Sequence, residues 1–380
     1  MARRKKSSAK KAAEAVEKEI RKGNPWVIAI VVIIIAALII YAYFNNGFDS
    51  IFGNKTSNNE NFVKSGLSTE VTTLKNLKIT FIDIGQGDCI YIEFPDGKNM
   101  LIDAGDNGSS YEETLSAHFP KNTTFDYVLA THSDSDHIGS MDYIYENDNV
   151  LYSFRPYEVS SYSGASSLTA EFNKGYYKCN TKNYYLYLSA IANEKTPYEY
   201  FSEYSDFANT AVYNGIDYKY TMDFLTPTLS AEGNYSSIKF TEPNEYSPYI
   251  MLIYGGKKVL FSGDAQGKTE DEFVSNYQGN NYADVDVYKV AHHGSEGTNS
   301  QDFLNIIKPE YSVISCGKGN DYGHPHQKAL DRLESIDSQI YRTDVYGDIT
   351  LEISDTGVMT WTYEKQADYT DNLIPGNLFT

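Results

Sequence analysis

From residue 77 onward, apolar and polar positions alternate in short bursts separated by Gly, Pro and Asp, the pattern of strands closed by turns. Residues 78–84, 89–94 and 99–103 read as three such strands, with Pro95, Asp96 and Gly97 turning the chain between the second and third. A fourth run, apolar after its first residue Asp126, covers 126–130. Further on, 249–254 and 258–261 predict a hairpin around Gly255 and Gly256, since adjacent glycines supply the positive φ that a tight hairpin requires. Helical patterns follow at 268–277, 301–307 and about 326–336, interleaved with strands at 286–291 and 311–315, and the runs 349–353 and 358–363 close the sheet.

Two regions break this rhythm. Residues 26–44 are nineteen positions without a charge, preceded by 25 residues carrying nine Lys or Arg against three Asp or Glu, a net of +6. Such a stretch, rising ~1.5 Å per residue, approaches the ~30 Å of a bilayer core and exceeds the ~7–15 residues of a signal-peptide core. It predicts one transmembrane helix, with the basic leader 1–25 cytoplasmic, near anionic lipid, and the rest of the chain outside the cell membrane. Residues 45–76, rich in Asn, Ser, Thr and Gly, read as a flexible linker, and 366–380 as a tail. The other irregular region, about 151–220, holds 14 of the 34 tyrosines and no clear period. It reads as an insertion in the 77–365 domain, placed to roof a site. Its tyrosines either stack on bases or cage a quaternary ammonium, or serve as ordinary amphipathic packing; the absence of any cage-like spacing favours packing.

Charge narrows the functions. Of the total of −19, the leader contributes +6, which leaves −25 on 26–380 and excludes broad electrostatic capture of nucleic acid. Phosphate esters stay open, because bound cations can dominate the local charge. Three cysteines make no disulfide framework; Cys89 and Cys316, in apolar runs, read as buried small hydrophobes. Neither a serine-nucleophile elbow nor a Walker loop nor a dinucleotide fingerprint occurs in a strand-to-helix context.

The chemistry concentrates in the run His132-Ser133-Asp134-Ser135-Asp136-His137, four potential metal ligands in six residues after the strand 126–130. Adjacent carboxylates repel one another and are poor company for imidazoles in a core, penalties that divalent cations reverse. Of the seven histidines, four more form two pairs, His292 with His293 and His324 with His326, and His118 stands apart. Asp83 and Asp103 end strands and read either as hydrogen-bonding supports of the His132 to His137 loop or as turn formers. Gln86 and Asp88 are weaker candidates for facing substrate.

The succession Phe81-Ile82-Asp83-Ile84-Gly85-Gln86-Gly87-Asp88, Leu101-Ile102-Asp103-Ala104-Gly105, His132-x-Asp134-x-Asp136-His137, Phe261-Ser262-Gly263-Asp264, Val290-Ala291-His292-His293-Gly294-Ser295 and Tyr322-Gly323-His324-Pro325-His326 resembles the metallo-β-lactamase-fold hydrolases. Within them it is most similar to the C-terminal domain of the ComEC competence proteins, over about 77–365. The resemblance implies an α+β fold, a four-layer αββα sandwich, with two divalent metal ions at one edge. It also implies that His132, Asp134, Asp136 and His137 are ligands and that Asp264 bridges the ions. One departure stands out: the broader pattern has His at the Asp134 position and a further ligand His before the bridging Asp, yet this chain has no histidine between His137 and His292.

Carboxylate-rich ligation suits manganese as well as zinc. The later histidines then share two tasks, completing the coordination and protonating a leaving group. His293 and His324 read as ligands, His292 and His326 as acid candidates, with exchange inside each pair open; Asp136 joins the catalytic candidates. The expected activity is metal-dependent hydrolysis of a phosphodiester, with DNA as the substrate that the resemblance suggests. An envelope phosphodiester such as a phosphorylcholine ester, and a non-catalytic metal-binding module, are the alternatives.

Overall fold

In the strand Leu77–Phe81 the side chains of Leu77, Ile79 and Phe81 are buried on one face while Lys78 and Thr80 are half-buried on the other, and this period of two is repeated around the domain. The computed structural model describes residues 68–365 apart from 171, 176, 201–206, 228–240 and 280. The span read at 26–44, most of the linker, and the tail 366–380 lie outside those residues. Among the described residues no helix is long and apolar enough to cross a membrane.

Two eight-stranded sheets carry the domain. The first runs, edge to edge, Tyr198–Tyr200, Ser153–Arg155, Tyr127–Leu129, Asn99–Ile102, Ile90–Glu93, Leu77–Phe81, Ile349–Ile353 and Met359–Tyr363. The second runs Ser68–Glu70, Phe207–Tyr213, Ile216–Thr226, Tyr249–Tyr254, Lys257–Phe261, Val287–Lys289, Tyr311–Ile314 and Gln339–Arg342. Their facing sides form one core, in which Phe81 meets Phe261 at 6.4 Å between ring centroids and Phe94 stacks on Tyr220 at 4.7 Å. Complete burial of each such side chain stabilises by roughly 1.5–3 kcal/mol. The outer face of the first sheet, with Leu101 and Val128, is covered by the helices Ser109–His118, Met141–Asn147 and Lys182–Glu194 through Leu115, Ile144 and Leu188. The outer face of the second, with Met251 and Leu260, is covered by Lys268–Tyr277, Gln301–Ile307 and Gln327–Glu334 through Phe273, Phe303 and Leu330. Helices, sheet, sheet, helices is the four-layer order expected. Gly255 and Gly256, with φ of 58° and 78°, make the predicted hairpin turn.

The Tyr-rich segment is built into the sheets. It supplies two strands at one edge of the first sheet and the adjacent pair Phe207–Tyr213 and Ile216–Thr226 of the second. Tyr184 and Tyr187 are wholly buried against the first sheet, and Tyr220 lies in the core between the sheets, donating to Asp96 Oδ2 at 3.1 Å. The cluster of rings at Phe172, Tyr198 and Tyr200 does enclose a cation, but it is the chain's own: Arg155 lies 4.5, 4.6 and 4.9 Å from the three centroids.

Placement of the site follows from strand direction. Asn99–Ile102, Tyr127–Leu129 and Ser153–Arg155 run parallel in the first sheet, and Lys257–Phe261, Val287–Lys289, Tyr311–Ile314 and Gln339–Arg342 run parallel in the second. The loops leaving the carboxyl ends of such strands converge on one edge, where ligand sites of α/β sheets gather.

Candidate metal centre

Four of the polar motifs lie in the first loop after one of these parallel strands. Asp103 follows Asn99–Ile102, the run Thr131 to His137 follows Tyr127–Leu129, Asp264 follows Lys257–Phe261, and His292 and His293 follow Val287–Lys289. The backbone is bent to aim them. Asp103, His292 and His293 adopt left-handed φ of 57°, 51° and 51°, at a cost of order 1–3 kcal/mol each that surrounding contacts must offset. Gly87 lets a second loop close on the first: a Cβ there would lie 2.1 Å from Asp136 O, and Asp88 N donates to that same carbonyl at 3.1 Å.

The imidazoles are held by one nitrogen and leave the other facing the site, the arrangement common around metal ligands. His137 Nδ1 lies 2.7 Å from Asp103 Oδ2, while Asp103 also accepts from Thr131 N at 2.8 Å and Thr131 Oγ1 at 2.7 Å. Asp103 thus pins the loop as expected. His293 Nδ1 donates to Ser315 O at 2.9 Å. His132 Nδ1 is 3.0 Å from both Ser247 Oγ and Thr131 Oγ1. In all three rings Nε2 is buried without a hydrogen-bond partner, as is Asp264 Oδ1.

Those unspent atoms come together. Asp264 Oδ1 is 3.1 Å from His137 Nε2 and 3.5 Å from His293 Nε2, and the latter is 3.2 Å from Asp136 Oδ2. Donor atoms of Asp136, His137, Asp264 and His293 all lie within 4.8 Å of one another. Two carboxylates and two imidazoles with free lone pairs directed at a common point fit a divalent cation in both charge and donor type. Without one, the groups charge each other. Burial raises the Asp264 and Asp136 carboxyls, but His137 and His293 outweigh it and hold both below the usual carboxylate range. Burial lowers His137 and His293 in turn, and Asp264 above all reverses that.

The remaining predicted residues are distributed around this group. Asp134 is 41% exposed at its side chain, with Oδ2 3.6 Å from His132 Nε2. His292 Nε2 is 3.7 Å from Asp264 Oδ2, and its Nδ1 is 3.1 Å from Gln266 Oε1. His324 stands at the rim, its ring 5.4 Å from that of His292 and 6.0 Å from that of His293, with Nδ1 unpartnered; burial and these two rings push it down to about 4. His326 does not join them. Its Nδ1 accepts from Glu296 N at 2.9 Å and its Nε2 donates to Tyr322 O at 3.2 Å, so both nitrogens are committed to backbone.

Three supporting readings change. Asp83 does not reach the His132 loop: its carboxylate pairs with Lys365 at 3.2 Å and its N–H donates to Asp348 Oδ1 at 2.8 Å. Gln86 accepts from Gly317 N at 3.2 Å. Asp88, only 1% exposed, faces inward, with Oδ2 2.7 Å from Lys289 Nζ and Oδ1 3.5 Å from His293 Nδ1. Lys289, fully buried and also donating to Val290 O at 3.0 Å, went unnoticed in the sequence; one Lys amid the apolar residues 287–291 was its signal. Ser247, which accepts from Asp264 N at 3.1 Å and contacts His132, had none.

Comparison with known proteins accords with this geometry. Residues 82–169 and 240–318 match the Metallo-beta-lactamase superfamily. ComE operon protein 3 of Bacillus subtilis is 27% identical over 292 residues, covering 72% of this chain and 32% of that protein. Competence protein ComA of Neisseria gonorrhoeae is 33% identical over 146 residues, 38% of this chain and 19% of its own length. Recombination protein 2 of Haemophilus influenzae is 32% identical over 106 residues, 28% and 13%. The chain spans a third or less of the length of these relatives.

Proposed function

We propose, for a domain that belongs to the metallo-beta-lactamase superfamily and is related to the ComEC-family competence proteins, that it hydrolyses phosphodiesters with the help of two divalent metal ions, zinc or manganese. The observation that carries this is the convergence of donor atoms from Asp136, His137, Asp264 and His293, with those of His137, Asp264 and His293 buried and unspent. Divalent cations bound there supply Lewis acidity at a phosphoryl oxygen and water activated near neutral pH. The protein's own part is positioning. Asp103 and Ser315 fix the tautomers of His137 and His293, so that Nε2 is the atom presented in each. Asp264, anchored through its N–H by Ser247, offers its two oxygens to opposite sides, Oδ1 toward His137 and Oδ2 toward His292. His292, a quarter exposed and held near Gln266, is the imidazole placed to protonate a departing oxygen.

The names competence and recombination borne by the relatives make DNA the first substrate to try. The net charge of −25 on residues 26–380 favours local capture at the cations over a broad basic face. On the span read at 26–44, the domain is tethered to the outer side of the cell membrane. The deciding experiment measures the metal content of the full-length protein together with its hydrolysis of bis(p-nitrophenyl) phosphate, single- and double-stranded DNA, and choline phosphodiesters. We expect bound metal and cleavage of DNA. A metal-free protein that cleaves nothing would establish a non-catalytic module, and cleavage confined to choline esters would replace the substrate.

A further inference from the structure

The four donors come from both halves of the sandwich. Asp136 and His137 lie in a loop of the first sheet, Asp264 and His293 in two loops of the second. A cation is held well only if the two halves stop at a fixed spacing, which the donors alone do not set.

Lys289 stands where these loops meet. In the strand Val287–Lys289, Val287 packs between the sheets and Tyr288 toward the outer helices, so the period of two turns Lys289 inward again. Its carbonyl accepts from Ser262 Oγ at 2.6 Å, two residues before Asp264. Its Nζ donates to Val290 O at 3.0 Å, at the start of the turn to His292 and His293, and lies 2.7 Å from Asp88 Oδ2 of the other sheet.

Asp88 carries the contact on to the first-sheet donors. Its N–H donates to Asp136 O at 3.1 Å, and its carbonyl accepts from Gly105 N at 2.9 Å, two residues past Asp103. Its carboxylate sits on the Nδ1 side of both imidazoles, Oδ1 3.5 Å from His293 and Oδ2 3.9 Å from His137. Lys289 is 0% exposed and Asp88 1%. Apolar residues of similar volume often replace a buried ion pair without loss, so stability alone gives no reason for a lysine here.

We infer that Lys289 is a positioning residue: through Asp88 it sets the spacing of Asp136 and His137 against Asp264 and His293, and with it the affinity of the centre for a cation. The inference rests on the reading of this group as a metal site, and the test separates the two.

Calorimetric titration of the full-length protein with Zn²⁺ reads the affinity, and the visible spectrum of the Co²⁺-loaded protein reads the donor geometry. Lys289→Met, confirmed folded by circular dichroism, should bind Zn²⁺ at least ~10-fold more weakly than wild type, with displaced Co²⁺ bands. The sign is informative. Taking a positive charge away from a cation site tightens binding by Coulomb attraction alone, so a loss of affinity reports geometry. Lys289→Met combined with Asp88→Asn removes both charges of the pair, and hence the unpaired carboxylate, and should stay at least ~10-fold weaker. Wild-type or tighter Zn²⁺ binding by either folded variant overturns the inference and leaves the metal centre standing. Where one variant fails to fold, the other decides; failure of both would make the pair a requirement of the fold and overturn the positioning role. A wild-type protein that binds neither Zn²⁺ nor Co²⁺ overturns the metal centre itself, and the inference with it.

Discussion

At Arg155 and at Asp264 the same sandwich buries formal charge, yet the two surroundings differ in what is left over. Around Arg155 the guanidinium is enclosed by three aromatic faces at 4.5 to 4.9 Å, and Nη2 donates to the Phe172 carbonyl at 2.6 Å and the Tyr200 hydroxyl at 2.8 Å; Nε and Nη1 make no hydrogen bond, but they are N–H donors and carry no lone pair to offer a cation. Around Asp264 the carboxylate has neighbours, but its Oδ1 and the Nε2 atoms of His137 and His293 make no hydrogen bond and share one space. Burial of charge is therefore not what marks a site in this molecule. Unspent lone pairs aimed at a common point do, because a folded chain rarely leaves them so without a ligand.

The largest expected effect tests the Asp264 side. Asp264→Asn keeps the shape and removes the charge that two cations would share, so phosphodiester hydrolysis should fall by at least ~10²-fold and one ion should be lost or weakly held. Folding should change less than activity, since the core is supplied by the apolar strands. Near wild-type activity with both ions bound would mean that Asp264 is not the bridge.

Arg155 should behave in the opposite way. Arg155→Ala removes the centre of an aromatic cluster and should cost about 2–4 kcal/mol of stability, read as a lower midpoint in urea. Metal content per folded molecule should not change. A folded Arg155→Ala that has lost a metal ion would join the two regions into one and break the comparison.

The same distinction governs how much could be read from sequence. Strands at Tyr249–Tyr254 and Ile349–Ile353 and helices at Lys268–Tyr277 and Gln301–Ile307 match their patterns end to end, the strands because aliphatic residues carry most of the period. The strand Ile216–Thr226 was missed although Tyr220 and Met222 alternate with Lys219, Thr221 and Asp223, because its inward face is built partly from Tyr, which a polarity pattern counts as neither inside nor outside. Asp136, His137 and His293 were legible as local clusters of ligand types, and Asp264 through the family resemblance. Lys289 and Ser247 were not, since each is a common residue whose meaning comes only from what the fold sets beside it.

Among the histidines the comparison can be sharpened with smaller effects. His326 has both nitrogens spent on backbone, from Glu296 N and to Tyr322 O, and resembles the Arg155 case. His326→Ala should therefore cost about 1 kcal/mol of stability and leave kcat/KM within ~3-fold. A loss near ~10²-fold would restore it as the proton donor.

His118, remote from the centre, gives the smallest effect and a sign that can be fixed in advance. Its Nδ1 lies 2.8 Å from Thr114 O and its Nε2 2.7 Å from Asp348 Oδ2. A carbonyl and a carboxylate both only accept, so the doubly protonated ring satisfies both bonds at once. It also occupies the last turn of Ser109–His118, where the helix dipole favours a cation. The bond to Asp348 outweighs burial and raises His118 above its ordinary 6.5, while Asp348, which burial alone would raise, is brought below 3.8 mainly by His118. The raised imidazole stabilises the fold fully below pH 6.5, and that contribution is lost as pH climbs through its folded value. The lowered carboxylate contributes above pH 3.8 and is lost as pH falls through its own folded value. Wild type should thus exceed His118→Asn by about 1 kcal/mol or less between roughly pH 4 and 6.5, given that both side chains are about a quarter exposed. Urea unfolding of the two proteins at pH 5.5 and 8.5 measures the difference, and taking it between variants cancels whatever the metal centre does with pH. A gap that widens toward pH 8.5 would show that the ring is neutral in the fold, and that a carboxylate beside an imidazole here is no guide to charge.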